Sequence, residues 1–259
     1  MLGKAVMAVY EQPLNEKIRL FLRLEFLVKR FKTHLADPSP DNCQAAVVVL
    51  LELYNLSSRL DVKNALLSML DWQSQAVRRL SELEGVDADR LKKVLARLEE
   101  KAKQIYSFRG QLGQHLKRHA FLNLLRQRAG IAGNMNGFDV PLFNYWVHQA
   151  QQKRVDDLIQ WVEPYSMAYD AIEIVLQLIR ESRDSEEVVA EDGFFQAGLN
   201  TKRDYQLLRI ELPEEVNYYP EISAGKQRFS IRFVRVEDLA ERGTQELDNI
   251  PFSLFLCSL

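Results

Sequence analysis

Positive side chains at even spacing are the residues of this chain best suited to chemistry. Between Tyr219 and Phe233 the sequence reads YPEISAGKQRFSIRF. A strand there puts Lys226, Arg228 and Arg232 on one face and Phe229, Ile231 and Phe233 on the other, because successive strand side chains point to opposite sides. Steps of two and four residues separate the cations by roughly 7 to 14 Å, so they repel one another only modestly and can touch one extended anionic ligand together. The planar guanidinium of arginine suits a carboxylate, which it holds with two hydrogen bonds. The same face is also what an ordinary solvated strand offers when its cations pair across strands with Glu or Asp. A second positive stripe, Arg19, Arg23 and Arg30, follows helical spacing, and a solvated helix face is the commoner role of such a stripe.

Other reactive patterns are incomplete. Gly225-Lys226 lacks the upstream glycine of a phosphate loop, and Gln227 stands where a magnesium-binding hydroxyl would be. His115 and His119 have the i, i+4 spacing that chelates zinc, but Leu116 occupies the place of the zincin glutamate, and His34, Cys43 and Cys257 supply no obvious third ligand. There is no Gly-x-Ser-x-Gly elbow and no Cys/His nucleophile pattern. Adjacent acids such as Asp156 and Asp157 point to different helix faces. Trp146 and His148 read as a semi-buried aromatic pair. The chain is therefore expected to be no enzyme and to need no cofactor.

The elements that must carry these residues follow from period. From Leu14 to about Arg183 apolar residues recur at helical spacing: Leu20, Leu24, Leu27 and Phe31 form one stripe, and Val62, Leu66, Met69, Gln73, Ala76 and Leu80 form another, opened by Asp61 as an N-cap. Ala45 to Leu56 is apolar nearly all round and should be buried. Asp139 before Pro141 predicts an N-cap followed by a first-turn proline. The last long helix should end near Arg180 and Arg183, where cations complement its dipole. The acidic stretch Asp184 to Glu187 marks a boundary. Beyond it the period changes to two, in Leu208, Ile210, Leu212 and in Phe229, Ile231, Phe233. Phe252 to Cys257 predicts a final strand, and Ala5 to Tyr10 a strand that joins the same sheet. The expected fold class is α+β: residues 1–13 as an N-terminal strand joining the β domain, 14–183 as an α-helical domain, and 184–259 as a mainly antiparallel β domain.

Composition bounds the partners. With 259 residues, 47% hydrophobic and 27% charged, the chain is that of a folded globular protein. Thirty-six acids against 34 Lys and Arg leave a formal charge of -2, so no global field draws it to nucleic acid or anionic membranes. Two distant cysteines fit a reducing compartment, and neither a signal-peptide core nor a membrane-length apolar run is seen. A soluble cytoplasmic protein is expected. A nucleic-acid-binding regulator using the same arginines is the first alternative; no helix-turn-helix or RNA-recognition signature supports it, and aromatics do not interleave with the cations as base stacking requires. A metal enzyme or hydrolase around His115 and His119 is the second.

Several segments together resemble the ZapD family. They are Glu11-x-Pro13-Leu14-Asn15-Glu16-Lys17-x-Arg19-x-x-Leu22-Arg23-x-Glu25-Phe26-Leu27, Arg126-Gln127-Arg128, Phe138-Asp139-x-Pro141, Trp146-x-His148, Gly193-Phe194-Phe195-Gln196 and Tyr219 to Phe233. From about Phe31 to Tyr106 the likeness is one of helical pattern and length. The resemblance implies a helical domain, a β domain that includes the N-terminal strand, and a symmetric homodimer. It also implies a cell-division factor at the midcell division ring that binds the C-terminal peptide of FtsZ in a basic pocket and bundles its filaments, with no nucleic acid and no direct membrane insertion. Carried over by motif, the pocket residues are Arg19, His148, Lys226, Arg228 and Arg232, with Arg23, Arg126 and Arg128 as further nominees. Arg126 and Arg128 serve equally well as cations at a helix C-terminus.

Overall fold

Apolar side chains three and four residues apart dominate the first two-thirds of the chain and alternate in the last third, and the secondary structure follows that change. The computed structural model describes residues 7–81, 86–131, 133 and 135–258. In order they form β1 (Met7–Pro13), α1 (Glu16–Ala36), α2 (Pro40–Ser57), α3 (Val62–Ser81), α4 (Ala88–Ser107), α5 (Gln114–Lys117), α6 (Ala120–Arg128), α7 (Pro141–Val147), α8 (Gln151–Glu181), β2 (Arg183–Ala190), β3 (Phe194–Gly198), β4 (Tyr205–Pro213), β5 (Tyr218–Ala224), β6 (Arg228–Arg235), β7 (Thr244–Gln245) and β8 (Ile250–Ser258). The fold is α+β. Two compact units divide it: a β unit that runs to Arg19 and resumes at Leu176, and a helical unit from Leu20 to Val175.

In the helical unit the α1 stripe Leu20, Leu24, Leu27 and Phe31 is buried, and half of α2 is buried too, with Val48, Glu52 and Asn55 exposed. The α3 stripe is buried from Val62 to Ala76, whereas Leu80 in the last turn is 40% exposed. Gln73 survives in that core because its amide donates to the Val175 carbonyl at 2.9 Å. Asp61 caps α3, its carboxylate accepting from the Asn64 N–H. Asp139 does not cap α7. Val140 is the N-cap, with Pro141 in the first turn, and the Asp139 carboxylate instead accepts from the Asn136 amide at 2.7 Å. Phe121, Phe143, Trp146 and Trp161 pack with ring centroids about 6 Å apart, joining α6, α7 and α8.

The β unit holds two antiparallel sheets, of order β1-β4-β8-β2 and β3-β6-β5, with β7 also paired to β6. Their facing side chains make one core of Leu208, Ile210, Leu212, Phe229, Ile231, Phe233, Phe252 and Leu254. The expected N-terminal strand joins as β1, paired to β4; Ala5 and Val6 lie outside the described residues. The acidic stretch lies within β2, a sheet-edge strand paired to β8, and α8 stops before Arg183. Charge on an edge strand discourages pairing with other chains, so exposed Glu186 and Glu187 suit the position. Glu11 in β1 is gripped by Arg180 of α8 at 2.8 Å and by Arg209 of β4 at 3.1 Å. Asn15 accepts the Ile18 N–H at the start of α1 and donates to Gln206 at 2.7 Å.

One clamp closes the loop between β7 and β8. Glu246 is buried, yet Arg235 donates to both its oxygens at 2.7 and 2.8 Å, and the Leu247 and Asp248 N–H groups donate to it as well. The Arg235 bonds hold its carboxyl below the usual range, burial opposing them. A carboxyl whose folded pKa is depressed stabilises fully above its unfolded pKa, and that stability is lost as pH falls through the lowered folded value. Urea midpoints are therefore expected to fall as pH drops below the ordinary carboxylate range, and Glu246→Gln should flatten that acid limb. An identical acid limb in Glu246→Gln would show that other carboxylates set it.

Candidate binding surface

β6 has two faces, and the outer one is where cations, hydroxyls and aromatic rings meet. Phe229, Ile231 and Phe233 point into the core, while Arg228, Ser230 and Arg232 point outward. Register supplies their neighbours. On the β3 side Gly198, Gln196 and Phe194 stand opposite Arg228, Ser230 and Arg232; on the β5 side Ser223 and Glu221 stand opposite Ser230 and Arg232, with Tyr219 opposite Val234. Phe194 is 44% and Tyr219 37% exposed, so two aromatic rings lie on the solvent side of this sheet. Arg228, Gln196, Ser223, Gly225 and Ser230 line an open recess of about 310 Å³. β3 is placed by Gly193, whose φ of +68° and approach to the Glu246 carbonyl leave no room for a Cβ.

The cations of this hairpin are not equivalent. Lys226 is not on the strand: it lies in the β5–β6 turn, so the alternation read through it stops at Arg228. Closing the hairpin, the Gly225 N–H donates to the Arg228 carbonyl, which leaves Lys226 and Gln227 in the turn. Lys226 and Arg228 are exposed and make no ion pair among the described residues. Arg232 is engaged, its Nη2 donating to Glu221 directly across the strands.

The other candidates are distributed between the units. Arg19, in the β unit, lies in the first turn of α1 and pairs with Glu16 at 3.2 Å. Arg23, Arg126, Arg128 and His148 belong to the helical unit. Arg23 and Arg128 are exposed. Arg126 donates twice to Asn123 Oδ1, at 3.0 and 3.3 Å, and lies over the Tyr54 ring, so its guanidinium is held within its own unit. His148 ends α7 and donates from Nδ1 to the Asn144 carbonyl at 2.8 Å, with its ring exposed. Thus Lys226, Arg228 and Arg232 share one hairpin, while the sequence pattern did not single out Phe194, Gln196, Tyr219, Glu221, Ser223 and Ser230. Gly193-Phe194-Phe195-Gln196 was the available signal, and only register shows which of its residues reach the outer face.

The histidine pair reads as structure. His115 Nε2 donates to the Trp161 carbonyl at 2.9 Å. His119 caps α6 through Nδ1 and meets Trp161 edge-on at 5.3 Å; burial, opposed by Asp157 and aided by His115, lowers its pKa. Among the described residues no group of three or more His, Cys, Asp or Glu is placed to hold a metal ion.

Comparison with known proteins bears directly on these segments. The family model described as "ZapD: Cell division protein" matches residues 22–232. The chain belongs to the ZapD family. It is 32% identical over 256 residues to "Cell division protein ZapD" of Coxiella burnetii (strain RSA 493 / Nine Mile phase I), covering 98% of this chain and 99% of that protein. It is 34% identical over 252 residues to the protein of that name from Janthinobacterium sp. (strain Marseille), 97% of this chain and 100% of the other. For that of Methylococcus capsulatus (strain Bath) the identity is 32% over 251 residues, 97% and 98% of the two chains. Membership of the ZapD family gives the chain a role in cell division. The ZapD match includes β5, the turn after it and β6 as far as Arg232. Among the described residues no helix is long and apolar enough to cross a membrane.

Proposed function

We propose that this ZapD family member binds the C-terminal peptide of FtsZ on the outer face of β3, β6 and β5, and that a homodimer carrying two such sites bundles FtsZ filaments in the cytoplasm at the midcell division ring. The observation that carries the reading is Arg228: exposed, without an ion-pair partner among the described residues, and bordering a recess of amide and hydroxyl groups. An acidic, partly apolar tail finds there a charge-assisted hydrogen bond, polar contacts from Gln196, Ser223 and Ser230, and the exposed rings of Phe194 and Tyr219. Lys226 beside it adds long-range attraction. Arg19, Arg23, Arg126, Arg128 and His148 are carried as contributors by family motif.

Ordering a flexible tail costs entropy, which keeps each contact weak. Two sites per dimer change the outcome, because once one tail is held the second binds at an elevated effective concentration, and many dimers act together along a polymer. No cofactor enters this scheme; GTP belongs to the partner. Co-sedimentation tests it. The full chain is expected to pellet with polymers of full-length FtsZ and not with polymers lacking the C-terminal tail, and bundling should weaken as ionic strength rises from low salt to well above 0.15 M. Equal pelleting with both polymers would overturn the reading.

A further inference from the structure

Arg228 and Arg232 are the same residue type, four positions apart on one exposed face, yet their surroundings are opposite. Arg228 is flanked by glycine on both sides: Gly198 faces it from β3, and Gly225, whose N–H bonds its carbonyl, from the β5 side. Neither neighbour has a side chain, so the guanidinium stands open. Arg232 is flanked by Phe194 from β3 and by Glu221 from β5, and Glu221 occupies its Nη2. We propose that Glu221 is a built-in competitor for the ligand acid that Arg232 would otherwise hold, so that β6 presents one open arginine and one guarded arginine. This inference rests on the tail-binding reading above and specifies its order of engagement.

The physical argument is one of like charges. A carboxylate approaching Arg232 meets a fork already engaged at one corner and a second carboxylate beside it. It must displace Glu221 into solvent or bind against its repulsion. Both members of the pair are nearly half exposed, and exposed pairs are weak, so displacement is feasible and lowers affinity rather than forbidding binding. A ligand acid therefore settles first at Arg228, where nothing is displaced. Arg232 rewards only a ligand with a second acid about four extended residues away, roughly 13 Å along the strand. Phe194, on the other flank of Arg232, favours an apolar side chain next to that second acid. The face so built prefers an acidic and apolar peptide in extended form over a ligand with a single charge.

Fluorescence anisotropy with a labelled synthetic FtsZ C-terminal peptide tests the proposal on the full chain, comparing the unsubstituted protein with Glu221→Gln, Arg232→Gln and the double variant. Circular dichroism melts confirm that each is folded, which substitutions at exposed strand positions should preserve. Glu221→Gln is expected to tighten binding by about two- to fivefold, the range an exposed ion pair supports. In the Arg232→Gln background the same change should have no effect, since the competition is for Arg232 alone. Unchanged or weaker binding by Glu221→Gln overturns the proposal while leaving tail binding intact. So does equal tightening in both backgrounds, which would make Glu221 a diffuse negative charge. No binding by the unsubstituted protein would overturn the tail reading and this inference together.

Discussion

Phe233→Ala is expected to lower the unfolding free energy by about 3–5 kcal/mol, read from urea titrations, the range for truncating a fully buried phenylalanine. Phe233 is completely buried, with its ring 5.7 Å from Tyr218 in its own sheet and 5.1 Å from Phe252 in the facing sheet. The cavity cannot close easily. Phe252 is also held edge-on by Phe195 at 5.6 Å, and Ile231 and Phe229 on the same strand already fill their own places. A loss below about 1 kcal/mol would mean that the two sheets collapse onto the gap. Because Phe233 points away from the outer face, tail binding measured below the unfolding transition should be unchanged.

The two faces of β6 were legible in the sequence, because strict alternation of Phe229, Ile231 and Phe233 with charged and hydroxyl residues has one physical meaning in a strand. The helical stripes were legible for the same reason, at the other period. What escaped was set by groups distant in sequence or by local competition. Glu221 becomes the partner of Arg232 only through the β5–β6 register, and Phe194 becomes its other neighbour only through the pairing of β3 with β6. Lys226 fits the alternation on paper, yet a hairpin must turn somewhere, and Gly225 to Gln227 is where it does. Asp139 has the chemistry of an N-cap, but Asn136 takes it first: its side-chain amide donates to the carboxylate through Nδ2, and its Oδ1 accepts the Asp139 N–H at 2.8 Å. The acidic run in β2 reads as a boundary in the sequence because charge is read as solvent exposure. An edge strand is exposed along one side and accommodates the same residues.

Arg228→Glu is expected to reduce affinity for the FtsZ tail peptide at least about tenfold and to abolish filament bundling, while leaving the unfolding midpoint unchanged. The substitution does two things at once. It removes the open charge-assisted donor of the recess, and it places a carboxylate where the ligand acid would sit, so attraction becomes repulsion at the same point. Stability should be spared because Arg228 is exposed, makes no ion pair among the described residues, and has glycine for both cross-strand neighbours. Arg232→Glu should weaken binding less, since that guanidinium is already shared with Glu221. Bundling should fail more steeply than single-tail binding, because in the proposed dimer cross-linking needs both sites occupied and the loss enters twice. Paired with Phe233→Ala, the variant tests whether the inner face of the strand sets stability and its outer face recognition. Arg228→Glu protein that still pellets fully with FtsZ polymers would take that residue out of the site and return the outer face of β6 to an ordinary solvated strand.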